Sequence, residues 1–107
     1  MAQRPMAQDC SPRELLDDSL ALHDHCIGAG LTEASYHALA TAMLCAQASS
    51  SRKAIDLVIE LAHIRQRAID AERPSHPLST REAHVRGAIP LFVSLAAAAE
   101  TIRTTLG

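Results

Sequence analysis

Residues 54–69, AIDLVIELAHIRQRAI, are apolar over more than half of a helical circumference, and no other stretch of the chain is. Ala54, Leu57, Val58, Leu61, Ile64 and Ala68 recur at steps of three and four, and Ile55, Ile59, Ala62 and Ile69 form a second row beside them. One such row marks a surface helix. Two rows predict a helix wedged between neighbours, with Asp56, Glu60, His63, Arg67 and Asp70 left as the strip that faces water.

What can pack against that helix is limited by the supply of side chains. The aromatic set is one Tyr and one Phe, and the 48 % hydrophobic content is mostly Ala, Leu and Ile, so the core must be built from small aliphatics on closely approaching helices. A length of 107 residues fits one domain that buries about two thirds of its unfolded surface. With 10 Lys and Arg against 12 Asp and Glu, the chain lacks the long-range field that nucleic acid or an anionic membrane requires of a partner. Cysteines at positions 10, 26 and 45 are odd in number and have no CxxC spacing, which fits a reducing cytoplasm and free thiols. Residues 88–99 are the longest apolar run, but Pro90 and Ser94 interrupt it and it is too short to span a bilayer. No export signal is read behind Arg4.

Boundary signals divide the chain into helices. Residues 1–10 have no period and are expected to form a disordered arm, with a single helical domain over 11–107. Ser11-Pro12-Arg13-Glu14 combines a capping hydroxyl, a proline at the first helical position and a glutamate three residues on. The helix it starts carries the inward rows Leu16, Leu20, His23, Ile27 and Leu15, Ser19, Leu22, Cys26, and ends at Gly28-Ala29-Gly30. Thr32 is read as the next cap, with Leu31 stapled onto Tyr36 and an inward row of Tyr36, Leu39, Ala40 and Met43. Serines 49–51 are expected to break the helix there, although the apolar phase survives across them and would allow one continuous helix over 33–72. Pro74 and Pro77 end the central helix, and Ser79-Thr80-Arg81-Glu82 repeats the cap-plus-glutamate signal. The expected architecture is all-α: an up-down antiparallel bundle of four helices near 12–28, 33–48, 51–72 and 80–106, the last kinked at Pro90. Gly87 could also end one short helix there and let Pro90 begin another.

Tyr36-x2-Leu39-Ala40-x2-Met43 followed by Ala54-x3-Val58-x2-Leu61 resembles a single tetratricopeptide hairpin over residues 36–61. That resemblance implies an interaction module without chemistry of its own.

Four groups of residues merit attention as sites. Arg73, His76, Ser79, Arg81, His84 and Arg86 gather around a helix start, where free amides and the helix dipole favour an anion or an acidic ligand. His23 and Cys26 lie one helical turn apart, the spacing of two ligands to a soft cation, with His37 or Cys45 as possible third ligands. Glu60 and His63 have the Glu-x-x-His spacing of di-iron bundles, but no second pair accompanies them. Leu91, Leu95, Ala98, Ile102 and Leu106 make an apolar seam, widened by Phe92, Ala96 and Ala99, with only Glu100 and Arg103 charged beside it. The reading that results is a cytoplasmic, non-enzymatic interaction or regulatory module without a cofactor. It acts as a homo-oligomer, with a twofold dimer through the last helix (Leu91, Leu95, Ala98, Ile102) as the expected contact. Its alternatives are an anion-binding protein using the 73–86 turn or a metal-binding protein using His23 and Cys26.

Overall fold

The computed structural model describes residues 11–106, so the arm expected at 1–10, with Cys10, lies outside the described residues. Among the described residues there are five helices and no strand: α1 (Pro12–Gly28), α2 (Thr32–Ala48), α3 (Arg52–Glu72), α4 (Thr80–Val85) and α5 (Leu91–Thr105). The fold is all-α. None of these helices is long and apolar enough to cross a membrane. The chain divides between Ser51 and Arg52 into two compact units.

In the first unit, α1 and α2 pack as an antiparallel hairpin joined by Ala29, Gly30 and Leu31. The Ser11 hydroxyl accepts from the Glu14 amide at 3.2 Å, and Pro12 takes the first helical position, where a missing N–H costs nothing. At the other end the Gly30 amide bonds the Ile27 carbonyl and the Leu31 amide bonds the Cys26 carbonyl, with Gly30 at φ +74°. This left-handed closure satisfies carbonyls that the helix end would orphan. Thr32 is the first helical residue rather than the cap, because Leu31 already occupies the N-cap position and provides no side-chain bond. Leu31 is 55 % exposed and Tyr36 half-buried. The buried stripes are Leu16, Ser19, His23 and Cys26 on α1 and Thr32, Ser35, Ala38, Leu39, Ala42 and Ala46 on α2. Leu15 and Leu22 turn outward, and Tyr36, Ala40 and Met43 are half-buried beside the alanine row.

The serine break is real, and its geometry matches the end of α1. Ser50 takes the left-handed conformation at φ +53°, its amide bonds the Gln47 carbonyl, and the Ser51 amide bonds the Ala46 carbonyl. A continuous helix over 33–72 is therefore not formed.

In the second unit, α5 packs against α3 and α4 touches α3 near its end. Arg103 near the end of α5 donates to the Asp56 carboxylate near the start of α3, so the two helices run antiparallel. One row of α3 is fully committed to the core: Ile55, Val58, Ala62, Gln66 and Ile69. The second expected row thus supplies most of the core, whereas the first is only half covered: Leu57 is 40 % exposed and Leu61, Ile64 and Ala68 are half-buried. The last helix expected over 80–106 is two helices rather than one kinked helix. Gly87, at φ +67°, closes α4 by bonding the His84 carbonyl while the Ala88 amide bonds Ala83, and Pro90 then stands at the N-cap of α5. The helix has ended before the proline can bend it.

Candidate functional site

The turn between α3 and α4 holds most of the chain's polar side chains of interest. Ser79 is fully buried; its hydroxyl accepts from the Glu82 amide at 3.1 Å and donates to the Pro74 carbonyl at 2.7 Å. His76 folds back so that its Nδ1 accepts from the Leu78 amide at 3.0 Å. Arg86 donates to the Pro77 carbonyl at 2.9 Å. Arg81 lies on the surface with Glu82 at 3.5 Å, and Arg73 and His84 are exposed. Six residues that read as one ligand-binding cluster thus divide: Ser79, His76 and Arg86 tie the turn to itself, and Arg73, Arg81 and His84 face outward.

The anion that this helix start attracts belongs to the chain. Asp70 Oδ1 accepts from the Thr80 amide at 2.8 Å and from Gln66 Nε2 at 3.1 Å, and Oδ2 accepts from the Thr80 hydroxyl at 2.6 Å. Partial burial pushes the Asp70 carboxyl up, but the Thr80 amide, the Thr80 hydroxyl and the Gln66 amide outweigh it and hold the group below its ordinary value. Asp70 was expected on the solvated strip; it is instead the carboxylate that fixes α4 against the end of α3. Gln66, on the same face, also donates to the Leu78 carbonyl at 3.1 Å and lies 3.3 Å from the Thr80 hydroxyl oxygen. All three neighbours accept, which sets the amide orientation and leaves Gln66 Oε1 buried without a partner among the protein atoms.

On α5 the inward row is Phe92, Leu95, Ala96 and Ala99. The expected contact seam is therefore split: Leu95 is 3 % exposed and belongs to the core, while Leu91 and Ala98 are exposed and Ile102 is half-buried on the adjoining flank. Val85, Ile89 and Leu91, at 75 %, 66 % and 40 % exposure, make the corner between α4 and α5 an apolar surface continuous with that flank along the chain.

His23 is 2 % exposed, and its Nδ1 donates to the exposed Asp24 carboxylate at 3.1 Å. Since a carboxylate only accepts, Nδ1 carries a proton, and Nε2 is buried without a partner among the described residues. Cys26 is buried one turn on, but Cys45 lies near the far end of α2, about 15 Å along the hairpin at 1.5 Å per helical residue, and His37 is exposed. Among the described residues no three of His, Cys, Asp or Glu converge as metal ligands.

No protein-family model matches the chain, and no curated protein or solved structure matches it. Its function must be argued from its own residues.

An open groove of about 480 Å³ lies beside Ser11, Pro12, Arg13, Ala48 and Ser49. Both hydroxyls there are committed, Ser11 to the Glu14 amide and Ser49 to the Cys45 carbonyl, and the described lining residues include no histidine or carboxylate to activate either. Glu60 and His63 are exposed on α3. Sequence reasoning missed Gln66 and Asp70. The available signal was Gln66 in phase with Ile55, Val58, Ala62 and Ile69, a polar residue in an apolar row that demands a partner.

Proposed function

We propose that this chain is a non-enzymatic interaction module that works as a homo-oligomer, in the cytoplasmic setting its cysteine usage suggests. The up-down bundle read from the sequence and the tetratricopeptide-like hairpin over 36–61 belong to the same proposal. One observation carries it: three of the large apolar side chains left exposed, Val85, Ile89 and Leu91, fall within seven consecutive residues, and Leu91 shares the outer flank of α5 with Ala98 and Ile102. Scattered exposed leucines need no explanation, but a run of exposed large apolar side chains is what protein contacts cover. Light scattering tests it. A dimer mass is expected at about 100 micromolar, where a weak interface is already filled, and Ala98→Glu should lower that mass while helical content stays. A monomer at that concentration would refute self-association.

A further inference from the structure

The two units carry opposite charge. Residues 1–51 hold two Arg and no Lys against six carboxylates, a net of −4, and residues 52–107 hold eight Lys and Arg against six carboxylates, a net of +2. The acidic surplus is concentrated on α1, where Glu14, Asp17, Asp18 and Asp24 are all exposed and Arg13 is the one cation. Only Glu14 stands in the first turn, where a carboxylate complements the helix dipole; Asp24, near the opposite end, works against it. Asp17 and Asp18 have no hydrogen-bond or ion-pair partner among the described residues, so helix stability does not account for them.

Leu15, Asp18 and Leu22 follow one another at steps of three and four and share one outward stripe, with Leu15 40 % and Leu22 53 % exposed. The corner between α4 and α5 is its complement in charge and its like in apolar character: Arg81, 65 % exposed and one turn before Val85, and Arg86 outnumber Glu82 there, and Ile89 and Leu91 follow. Pairing that corner with its own copy would bring like charges together, whereas α1 offers the opposite sign. We propose that the acidic outer stripe of α1 in one copy covers the basic apolar corner between α4 and α5 of a second copy. This rests on the self-association proposed above and names its contacting faces. Every copy carries both faces, so each can offer one and receive the other.

The test is charge reversal on the full chain, with mass read by light scattering and helical content by circular dichroism. Asp18→Arg and Arg81→Glu, both at exposed positions, should each weaken association about tenfold or more. An equimolar mixture of the two variants should recover the dimer, because the reversed stripe of one meets the reversed corner of the other and the second contact keeps its native charges. Association of the wild type should also weaken as salt shortens the screening length from about 30 Å at 0.01 M to about 3 Å at 1 M. A wild-type monomer at about 100 micromolar overturns both this contact and the self-association beneath it. A stable dimer that neither reversal weakens overturns this contact alone and leaves the α5 flank as the interface. Failure of the mixture to recover what each variant lost overturns it as well.

Discussion

The two units solve the same packing problem with different material. The α1–α2 hairpin buries alanines, one leucine per helix and four polar side chains, Ser19, His23, Thr32 and Ser35. The second unit buries Ile55, Val58, Ile69, Leu78, Phe92 and Leu95 around alanines, and its polar members Gln66 and Ser79 are built into a hydrogen-bond network. Small residues let helices approach closely but remove little apolar area from water, at roughly 25 cal/mol per Å². Large aliphatics remove more. The difference teaches where this chain's stability resides: the second unit is held by apolar volume, the first by close contact and by the turn that joins its helices.

Removing the largest buried side chain is the strongest way to break that contrast. Phe92 is 0 % exposed, and Phe92→Ala should cost about 3–5 kcal/mol, the range for aromatic truncation in a packed core. Amide hydrogen exchange checks it, with α3 and α5 losing protection first. A loss under about 1 kcal/mol would mean that the second unit is not organised around apolar volume.

The polar network comes next. Asp70→Ala removes one charge-assisted amide bond and two side-chain bonds at the start of α4, and should cost about 2 kcal/mol. Its pH dependence has a definite sign. The folded state holds the carboxyl below its ordinary value, so the stabilisation is fully present above the unfolded value and is lost as pH falls through the folded one. Denaturation midpoints measured below about pH 4 should fall more steeply for the wild type than for Asp70→Asn, which has no charge to lose at that position. Parallel curves would show that Asp70 contributes geometry without charge.

How much of this was legible in the sequence depended on how local the cause is. The caps at Ser11 and Ser79, the closure at Gly30 and the break at serines 49–51 follow from side-chain and backbone preferences within a few residues, and all are present. On α5 four consecutive alanines offer no contrast in size to say which side faces inward, so the seam read for contact with a second copy took in Leu95 and, as its widening, Phe92, Ala96 and Ala99, which face the core. The same lack of contrast hid Ala38, Ala42 and Ala46 on α2. Asp70 was unreadable for a different reason: its partner Thr80 arrives only after a turn through two prolines. Three of the six residues proposed for anion binding proved to be the fastenings of that turn.

His23 sharpens the comparison in the opposite direction, by improving the weaker unit. Its buried Nε2 has no partner among the described residues, and the bond from Nδ1 goes to an exposed carboxylate that contributes little. His23→Met keeps most of the volume and removes the orphan, so thermal denaturation should show a gain of about 1 kcal/mol. A loss of similar size would mean that Nε2 has a hydrogen-bond partner in solution and that the polar core of α1–α2 is satisfied after all.

The smallest effect separates two turns with the same bonds and different residues. Gly30 and Ser50 both take left-handed conformations, at φ +74° and +53°, and both close a helix through the same pair of amide-to-carbonyl bonds. Glycine occupies that region without strain, whereas an L side chain there costs about 1–2 kcal/mol. Against this, a glycine adds about 0.5–1 kcal/mol of backbone freedom to the unfolded chain. Ser50→Gly should therefore stabilise by only about 0.5 kcal/mol. The reciprocal change, Gly30→Ser, should destabilise by about the same amount, since an added Cβ meets nothing within 4 Å and the backbone angle is the whole cost. Paired denaturant titrations decide it. If both substitutions destabilise, Ser50 holds its turn through its side chain rather than despite it, and the two closures are not equivalent.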